Sequence, residues 1–198
     1  MSSREEILSA VRSNLPRLDR PLPDIPKFER ADQIPLVEQF GRSLVRMGGR
    51  LLAAGPLDDP LAPVRDLLKD SRRVCSATPE IEGCDQIFAS AAAVALADVD
   101  HAIVRARCGV AETGSVLLTD TDLGVNVLAF LAQHLIVLLD PAEIVADMHE
   151  AYRRPEFRDN RYAVFHSGPS ATADIEGVLI HGAQGVRSVW VMLAGRVL

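Results

Sequence analysis

The stretch Gly109-Val110-Ala111-Glu112-Thr113-Gly114-Ser115-Val116-Leu117-Leu118-Thr119 begins as a polar turn and ends as an apolar strand. Glu112, Thr113 and Ser115 supply one carboxylate and two hydroxyls within four positions. The run Val116–Leu118 is β-branched and apolar, which is typical of a strand that is buried on both faces. The stretch therefore predicts polar groups that project from a tight turn at the start of a buried strand.

A second polar turn, Gly168-Pro169-Ser170-Ala171-Thr172-Ala173-Asp174-Ile175-Glu176, follows another predicted strand. Ser170 or Thr172 can cap a short helical turn, whose free backbone N–H groups favour an anion such as a carboxylate or a phosphate. Asp174 and Glu176 oppose an anion if they face the site; alternatively they are first-turn carboxylates, which the helix dipole favours. The alternative is a capped helix without a ligand. We predict that the fold brings both turns together into one site.

The remaining chain alternates between helical and strand patterns, which predicts an α/β fold with an open, mostly parallel sheet flanked by helices. The apolar run His134–Asp140 is the strongest predicted strand and requires cover on both faces. Helices are predicted over residues 4–15, 36–45, 61–68, 91–96, 126–132 and 141–152. Strands are predicted over residues 51–54, 73–76, 87–88, 101–106, 134–140, 162–166, 178–180 and 189–193, the last two as a pair. The charged segment 153–161 is predicted to be a loop.

Size and charge restrict the class of protein. A chain of 198 residues with 48% hydrophobic content can bury one sizeable core. The net charge of −6 argues against nucleic-acid binding, which requires a basic face. There is no apolar run of the ~20 residues needed to span a membrane, and no signal-peptide pattern at the start. We therefore expect a cytoplasmic protein.

The first residues predict a separate element. A helix over residues 4–15 precedes Pro16, and Pro21, Pro23 and Pro26 then predict an extended link. We expect residues 1–26 to form this helix and link, and residues 27–198 to form the α/β domain. The amphipathic helix packs on a partner, on another copy of the chain in a homo-oligomer or on its own domain, or it is mobile.

Cysteine and histidine usage predicts no metal site in this chain. Cys75, Cys84 and Cys108 are widely spaced and form no Cys-x-x-Cys pair, so the chain lacks a usual iron–sulfur ligand set. His134 and His166 flank predicted strands. If they converge, they provide a proton shuttle or metal ligands; otherwise they are structural.

The candidate catalytic residues are Glu112 and His134. Glu112 either serves as an acid, a base or a nucleophile, or accepts backbone N–H groups and fixes the turn. The candidate ligand-binding residues are Thr113, Gly114, Ser115, Gly168, Pro169, Ser170, Thr172, Asp174 and Glu176.

Both turns resemble segments of one known family. The residues 111–115 resemble the A-[DE]-T-G-[ST] segment of the LUD-domain family, the family of lactate utilization protein C, and residues 168–176 are similar to its G-P-S-R-T-A-D-I-E segment. His134 at the start of its strand also matches in type and order. The resemblance covers roughly residues 35–194. Ala171 stands where the family commonly has Arg, so a guanidinium that would pair with an anion is missing there.

The resemblance implies a fold like that of the NagB/ribose-5-phosphate isomerase/CoA-transferase group. It also implies a role in oxidising L-lactate to pyruvate, with iron–sulfur clusters in partner subunits and a small anionic metabolite as ligand. The alternative is a free-standing enzyme of the cyclo-ligase or CoA-transferase type that binds a small anion, a folate or an acyl-CoA. A third possibility is an interaction module whose polar turns are structural only.

Overall fold

The computed structural model describes residues 2–16, 26, 34–82, 84–86 and 92–195. The chain divides into two units, Met1–Gln33 and Ile34–Leu198. The predicted strand at 87–88 and most of the predicted proline-rich link lie outside the described residues. The predicted domain boundary at residue 26 stays a prediction.

The first unit contains α1, Ser3–Ser13, which confirms the predicted helix. Ser2 begins it with a capping box, in which the Ser2 hydroxyl accepts the Glu5 N–H and the Glu5 carboxylate accepts the Ser2 N–H. No residue of Ser3–Ser13 is buried. Ile7 and Val11, on its apolar side, are 61% and 55% exposed.

The second unit contains six α-helices and twelve strands among its described residues. The helices are α2 Leu36–Arg46, α3 Ala62–Leu68, α4 Asp120–Leu123, α5 Leu128–Leu131, α6 Met148–Tyr152 and α7 Glu156–Asp159. The strands are β1 Arg50–Leu52, β2 Val74–Ser76, β3 Asp85–Gln86, β4 His101–Arg105, β5 Cys108–Val110, β6 Ser115–Thr119, β7 His134–Leu139, β8 Ile144–Val145, β9 Ala163–His166, β10 Ala171–Thr172, β11 Ile180–His181 and β12 Ser188–Leu193.

The main sheet has six strands in the order β1-β12-β7-β4-β2-β3, and all its pairs are parallel. The central strand β7 is buried at each residue from Leu135 to Leu139 because helices cover both faces of a parallel sheet. This arrangement confirms the predicted open, mostly parallel α/β fold.

A second sheet was not predicted. Its four strands have the order β8-β5-β6-β9, and β5 and β6 form an antiparallel hairpin through the turn at residues 111–114. All five residues of β6 are buried, as its composition predicts. Strand β6 also pairs with β9, with Val116 opposite His166. This pairing brings the end of β9 beside the turn of the hairpin.

The predicted helix over residues 141–152 is wrong. A 3₁₀ turn, Pro141–Glu143, is followed by β8 and only then by α6, which Asp147 caps. The helical spacing of apolar residues does not produce one helix here, because the two residues of β8 pair in parallel with Gly109 and Val110. Tertiary pairing therefore interrupts the segment. Where a helix is predicted over residues 126–132, the structure has only the shorter helix α5.

The second polar turn is not helical, contrary to the prediction. Strand β10 within it pairs with β11, so Thr172 lies opposite Ile180. The predicted pairing of residues 178–180 with residues 189–193 is also wrong, because β11 pairs with β10 whereas β12 pairs with β7 and β1. The helix-terminus argument for anion binding at Ser170 or Thr172 does not apply. The predicted loop at 153–161 contains the short helix α7.

Helix α2 is the element on which both polar turns pack. Gly114 and Gly168 have φ values of +68° and +71°, a region that residues with a Cβ rarely adopt. A Cβ on Gly114 would lie well under 3.0 Å from the backbone of Leu44, and one on Gly168 equally close to the Met47 carbonyl. Each turn therefore reaches the helix backbone directly, and only glycine permits this approach.

Gly114→Ala is expected to lower the free energy of unfolding by about 3 kcal/mol or more, because it adds a backbone clash to left-handed strain. Gly177→Ala is the matched control: its φ is +71°, yet nothing lies within 4 Å of the added Cβ. The control should lose only about 1 kcal/mol. Urea unfolding measures both, and equal losses would contradict the packing role of Gly114.

Candidate functional site

Three hydroxyls meet where the hairpin turn faces the end of β9. The Thr113 and Ser115 hydroxyls are 2.7 Å apart, and the Ser115 N–H donates to the Thr113 hydroxyl at 3.3 Å. The Ser115 hydroxyl also bonds the Ser167 hydroxyl. Ser167 was not predicted from the sequence, although its position between a predicted strand and Gly168 was an available signal.

Helix α2 adds a buried hydroxyl and a cation to this cluster. The Ser43 hydroxyl, which is buried, donates to the Glu112 carbonyl at 3.1 Å. The exposed Arg46 guanidinium donates to the Ser43 hydroxyl, also at 3.1 Å. Neither residue was predicted, because nothing in the sequence of α2 indicates which surface it faces.

The Glu112 carboxylate is held at the start of α6. Its Oε2 accepts the Met148 N–H at 3.1 Å, and its own N–H donates to the Ala146 carbonyl at 3.0 Å. The side chain is exposed. These bonds match the alternative in which Glu112 fixes the turn; they leave one carboxylate oxygen for a ligand.

A cavity of about 470 Å³, named here the hydroxyl cavity, lies over this cluster. Its walls are mainly apolar, from thioether and phenyl groups, and also carry hydroxyls, one guanidinium and the Glu112 carboxylate. The lining residues are Ser43, Arg46, Met47, Glu112, Thr113, Ser115, Met148, Phe165 and Ser167. Such walls suit a small anion that also carries an oxygen and a short apolar group.

The second turn lines a different, adjoining cavity of about 450 Å³, named here the His166 cavity. Gly168, Pro169 and Ser170 line it, whereas Phe165 and Ser167 line both cavities. The two predicted turns thus border neighbouring cavities and not a single one.

The rest of the second turn lies apart from both cavities. Thr172, Asp174 and Glu176 are not among the described residues that line either one. The Thr172 hydroxyl accepts the Asp174 N–H at 3.2 Å, which is a local turn bond. Asp174 and Glu176 are exposed.

His134 lies at the amino-terminal edge of the main sheet. Its ring stacks on His101 with centroids 4.7 Å apart, and its Nδ1 bonds the Ser188 hydroxyl at 2.8 Å. Burial, together with Arg187, lowers the pKa of His134, and burial together with His134 lowers the pKa of His101. His134 therefore pairs with His101 and Ser188, which matches the alternative in which the histidine is structural.

His166 is a neutral imidazole in an apolar setting. Burial lowers its pKa to about 4. Its Nε2 is buried without a hydrogen-bond partner among the described residues, and its ring lies 4.9 Å from that of Phe130.

Among the described residues, no group of three or more His, Cys, Asp or Glu side chains is placed to hold a metal ion. Cys75 and Cys108 are buried, and burial raises the pKa of Cys108 to about 12. A thiol that stays protonated is a poor cluster ligand. Within the described part of the chain, no helix has both the length and the apolar character required to cross a membrane.

The part of the chain that contains both polar turns matches a known protein family. The family model described as LUD domain matches residues 85–194, more than half of the chain and including both polar turns. An uncharacterized protein of Neisseria meningitidis serogroup B, NMB1437, is 28% identical over 98 residues, which are 48% of this chain. The match spans only 42% of that relative's length.

The fold also matches a solved structure. The crystal structure of a DUF162 family protein from Deinococcus radiodurans aligns with a TM-score of 0.62, covering 81% of this chain and 96% of that one. The two sequences are 18% identical, so this likeness concerns the fold alone.

Glu112→Ala is expected to lower the free energy of unfolding by about 1 kcal/mol, because α6 loses an acceptor for its first N–H. Glu112→Gln, which keeps an acceptor oxygen, should lose less. Glu38→Ala is the control: it breaks an exposed pair with Arg42, which contributes about 0.3–0.5 kcal/mol. Urea unfolding measures the free energy of unfolding of the three variants and of the wild type. An E112A variant as stable as the wild type would refute the capping role.

His166 should make stability depend on pH. Between pH 6.5 and about 4, the unfolded chain binds a proton at this histidine that the folded chain does not. The free energy of unfolding therefore falls as the pH is lowered through this window, by at most about 1.4 kcal/mol per unit.

His166→Gln should flatten that slope, since glutamine does not titrate there. The exposed His149 supplies the control, and His149→Gln should keep the wild-type slope. His101 and His134 contribute in the same direction and are unchanged in both variants. Thermal or urea unfolding at a series of pH values measures the slopes; identical slopes in the wild type and H166Q would contradict the burial of the neutral ring.

Proposed function

The chain belongs to the LUD-domain family, which is associated with lactate utilization, and from this premise we propose that it is a cluster-free subunit of a system that oxidises L-lactate to pyruvate. In this proposal it acts in the cytoplasm with iron–sulfur partner subunits. The observation that carries the proposal is the hydroxyl cavity, whose groups suit a short 2-hydroxy acid.

In this proposal, the carboxylate, the hydroxyl and the methyl group of lactate each contact a different group of the hydroxyl cavity. The carboxylate pairs with the guanidinium of Arg46, because charge-assisted hydrogen bonds are the stronger kind. The hydroxyl oxygen, or the keto oxygen of pyruvate, bonds the hydroxyls of Ser115 and Ser167. The methyl group packs on the side chains of Met47 and Met148.

In this proposal the electrons leave through partner subunits. Oxidation of lactate to pyruvate releases two electrons and two protons, and an iron–sulfur cluster requires thiolate ligands. The described cysteines do not fit one, because Cys75 and Cys108 are buried and burial raises the pKa of each thiol. We therefore assign the clusters to the partners and binding of the small acid to this chain.

Helix α1 supplies a surface for such a partner. Ile7 and Val11 of the helix are 61% and 55% exposed, Leu15 just after its end is 61% exposed, and none of the residues of the helix is buried. Exposed apolar side chains at helical spacing are typical of a helix that packs on another protein. In this proposal, α1 contacts the iron–sulfur subunits.

A tagged chain purified from its native cells should bring down proteins that contain iron, and the preparation should reduce an artificial electron acceptor when L-lactate is added. Arg46→Ala should raise the KM for lactate at least about tenfold, because a charge-assisted hydrogen bond is lost. It should leave the amount of co-purified iron unchanged. Arg42→Ala is the matched control, one turn earlier on α2 and outside the cavity lining; its KM should equal that of the wild type.

Deletion of residues 2–16 separates the two parts of the proposal, since it should remove the co-purified iron and leave lactate binding to the isolated chain intact. Absence of iron-containing partners, or an R46A variant with the wild-type KM, would contradict the proposal. Turnover of 5-formyltetrahydrofolate or of an acyl-CoA by the isolated chain would instead support a free-standing enzyme.

A further inference from the structure

The hydroxyl cavity is larger and more apolar than lactate requires. Its volume of about 470 Å³ lies in the range of pockets that enclose much larger ligands. Lactate is far smaller, and its only apolar group is one methyl. Since the gain from apolar contact grows with the apolar area removed from water, a ligand this small uses little of the apolar wall. The cavity therefore has room for a larger apolar group.

Two thioethers and one phenyl ring, each from a different element, form the apolar wall. Met47 is the C-cap residue of α2 and is 44% exposed, so a ligand can cover it. Met148 begins α6, and methionine side chains adapt to straight and branched groups because they are unbranched and flexible. The ring of Phe165 is held from behind by those of Tyr152 and Phe157, with centroids 5.5 and 5.4 Å away. The wall therefore combines a fixed ring with two adaptable side chains.

The charges at the cavity restrict the polar part of a ligand. Among the described residues that line it, Arg46 is the only cation and Glu112 the only carboxylate. The guanidinium attracts one carboxylate of a ligand, whereas the negative charge of Glu112 repels a second one. The lining therefore fits an acid with a single carboxylate.

We propose that the hydroxyl cavity selects monocarboxylic 2-hydroxy acids whose apolar group is larger than the methyl of lactate. This inference rests on the proposed function, because it keeps Arg46 as the partner of the carboxylate and the serine hydroxyls as partners of the neighbouring oxygen. It adds that Met47 and Met148 determine the preference for the apolar group, and that Glu112 excludes a second carboxylate.

Calorimetric titration of the full chain at pH 7 with the L forms of lactate, 2-hydroxybutanoate, 2-hydroxy-4-methylpentanoate and malate tests the inference. A buried methylene tightens binding about fourfold, so affinity should rise along the first three acids, and the methylpentanoate should bind at least about tenfold more tightly than lactate. Malate should bind at least about tenfold more weakly than lactate, because Glu112 repels its second carboxylate.

Three variants assign these preferences to residues. Met47→Gln makes the wall polar at nearly constant size and should lower the affinity for the methylpentanoate about fivefold, and that for lactate by a smaller factor. Val45→Gln is the matched control, an exposed apolar residue of α2 outside the cavity lining, and it should bind both acids as the wild type does. Glu112→Gln removes the charge and should bring malate within about threefold of lactate.

The series of acids separates this inference from the proposed function. If Arg46→Ala weakens lactate binding but the methylpentanoate binds no more tightly than lactate, the inference is overturned and the proposed function stands. Equal losses in M47Q and V45Q would overturn the inference as well. Binding of the methylpentanoate through Arg46 without any binding of lactate would support the inference and contradict lactate as the ligand. No binding of any of the four acids would overturn both.

Discussion

The close contact between two glycines and the backbone of one helix is the constraint on which the candidate site depends. Gly114 and Gly168 lie 54 positions apart, yet each places a left-handed turn against the end of α2, at Leu44 in its last turn and at its C-cap residue Met47. A side chain at either glycine would push its turn away from the helix. The hydroxyls of Ser115 and Ser167 meet because both turns are held at the same end of α2.

This constraint also determines which groups remain for chemistry. The hairpin turn is fixed twice, by the Ser43 hydroxyl on the Glu112 carbonyl and by the Glu112 carboxylate on the first N–H of α6. A carboxylate engaged in this way positions two elements relative to each other. The hydroxyls and the guanidinium of Arg46 are then the groups best placed to bind a small anion in the hydroxyl cavity.

The parts of the structure that follow from local pattern could be predicted from the sequence. The apolar run of β7 and the composition of β6 predict buried strands, and alternation with helices predicts the parallel sheet. What depends on tertiary pairing could not. Strands β8 and β10 have two residues each, too few for any period, and their partners are distant in sequence. For the same reason the motif identified Thr113 and Ser115, whereas Arg46, Ser167 and the partner of His134 emerged only from the structure.

The two cavities differ in charge although they share Phe165 and Ser167 at their border. One is lined by Arg46 and Glu112, and the other has no charged residue among those described. An anion entering from the hydroxyl cavity would have to leave the guanidinium to reach His166, and the loss of a counter-charge opposes that step. The border at Phe165 and Ser167 therefore separates a cavity with charged lining residues from one whose described lining carries no charge.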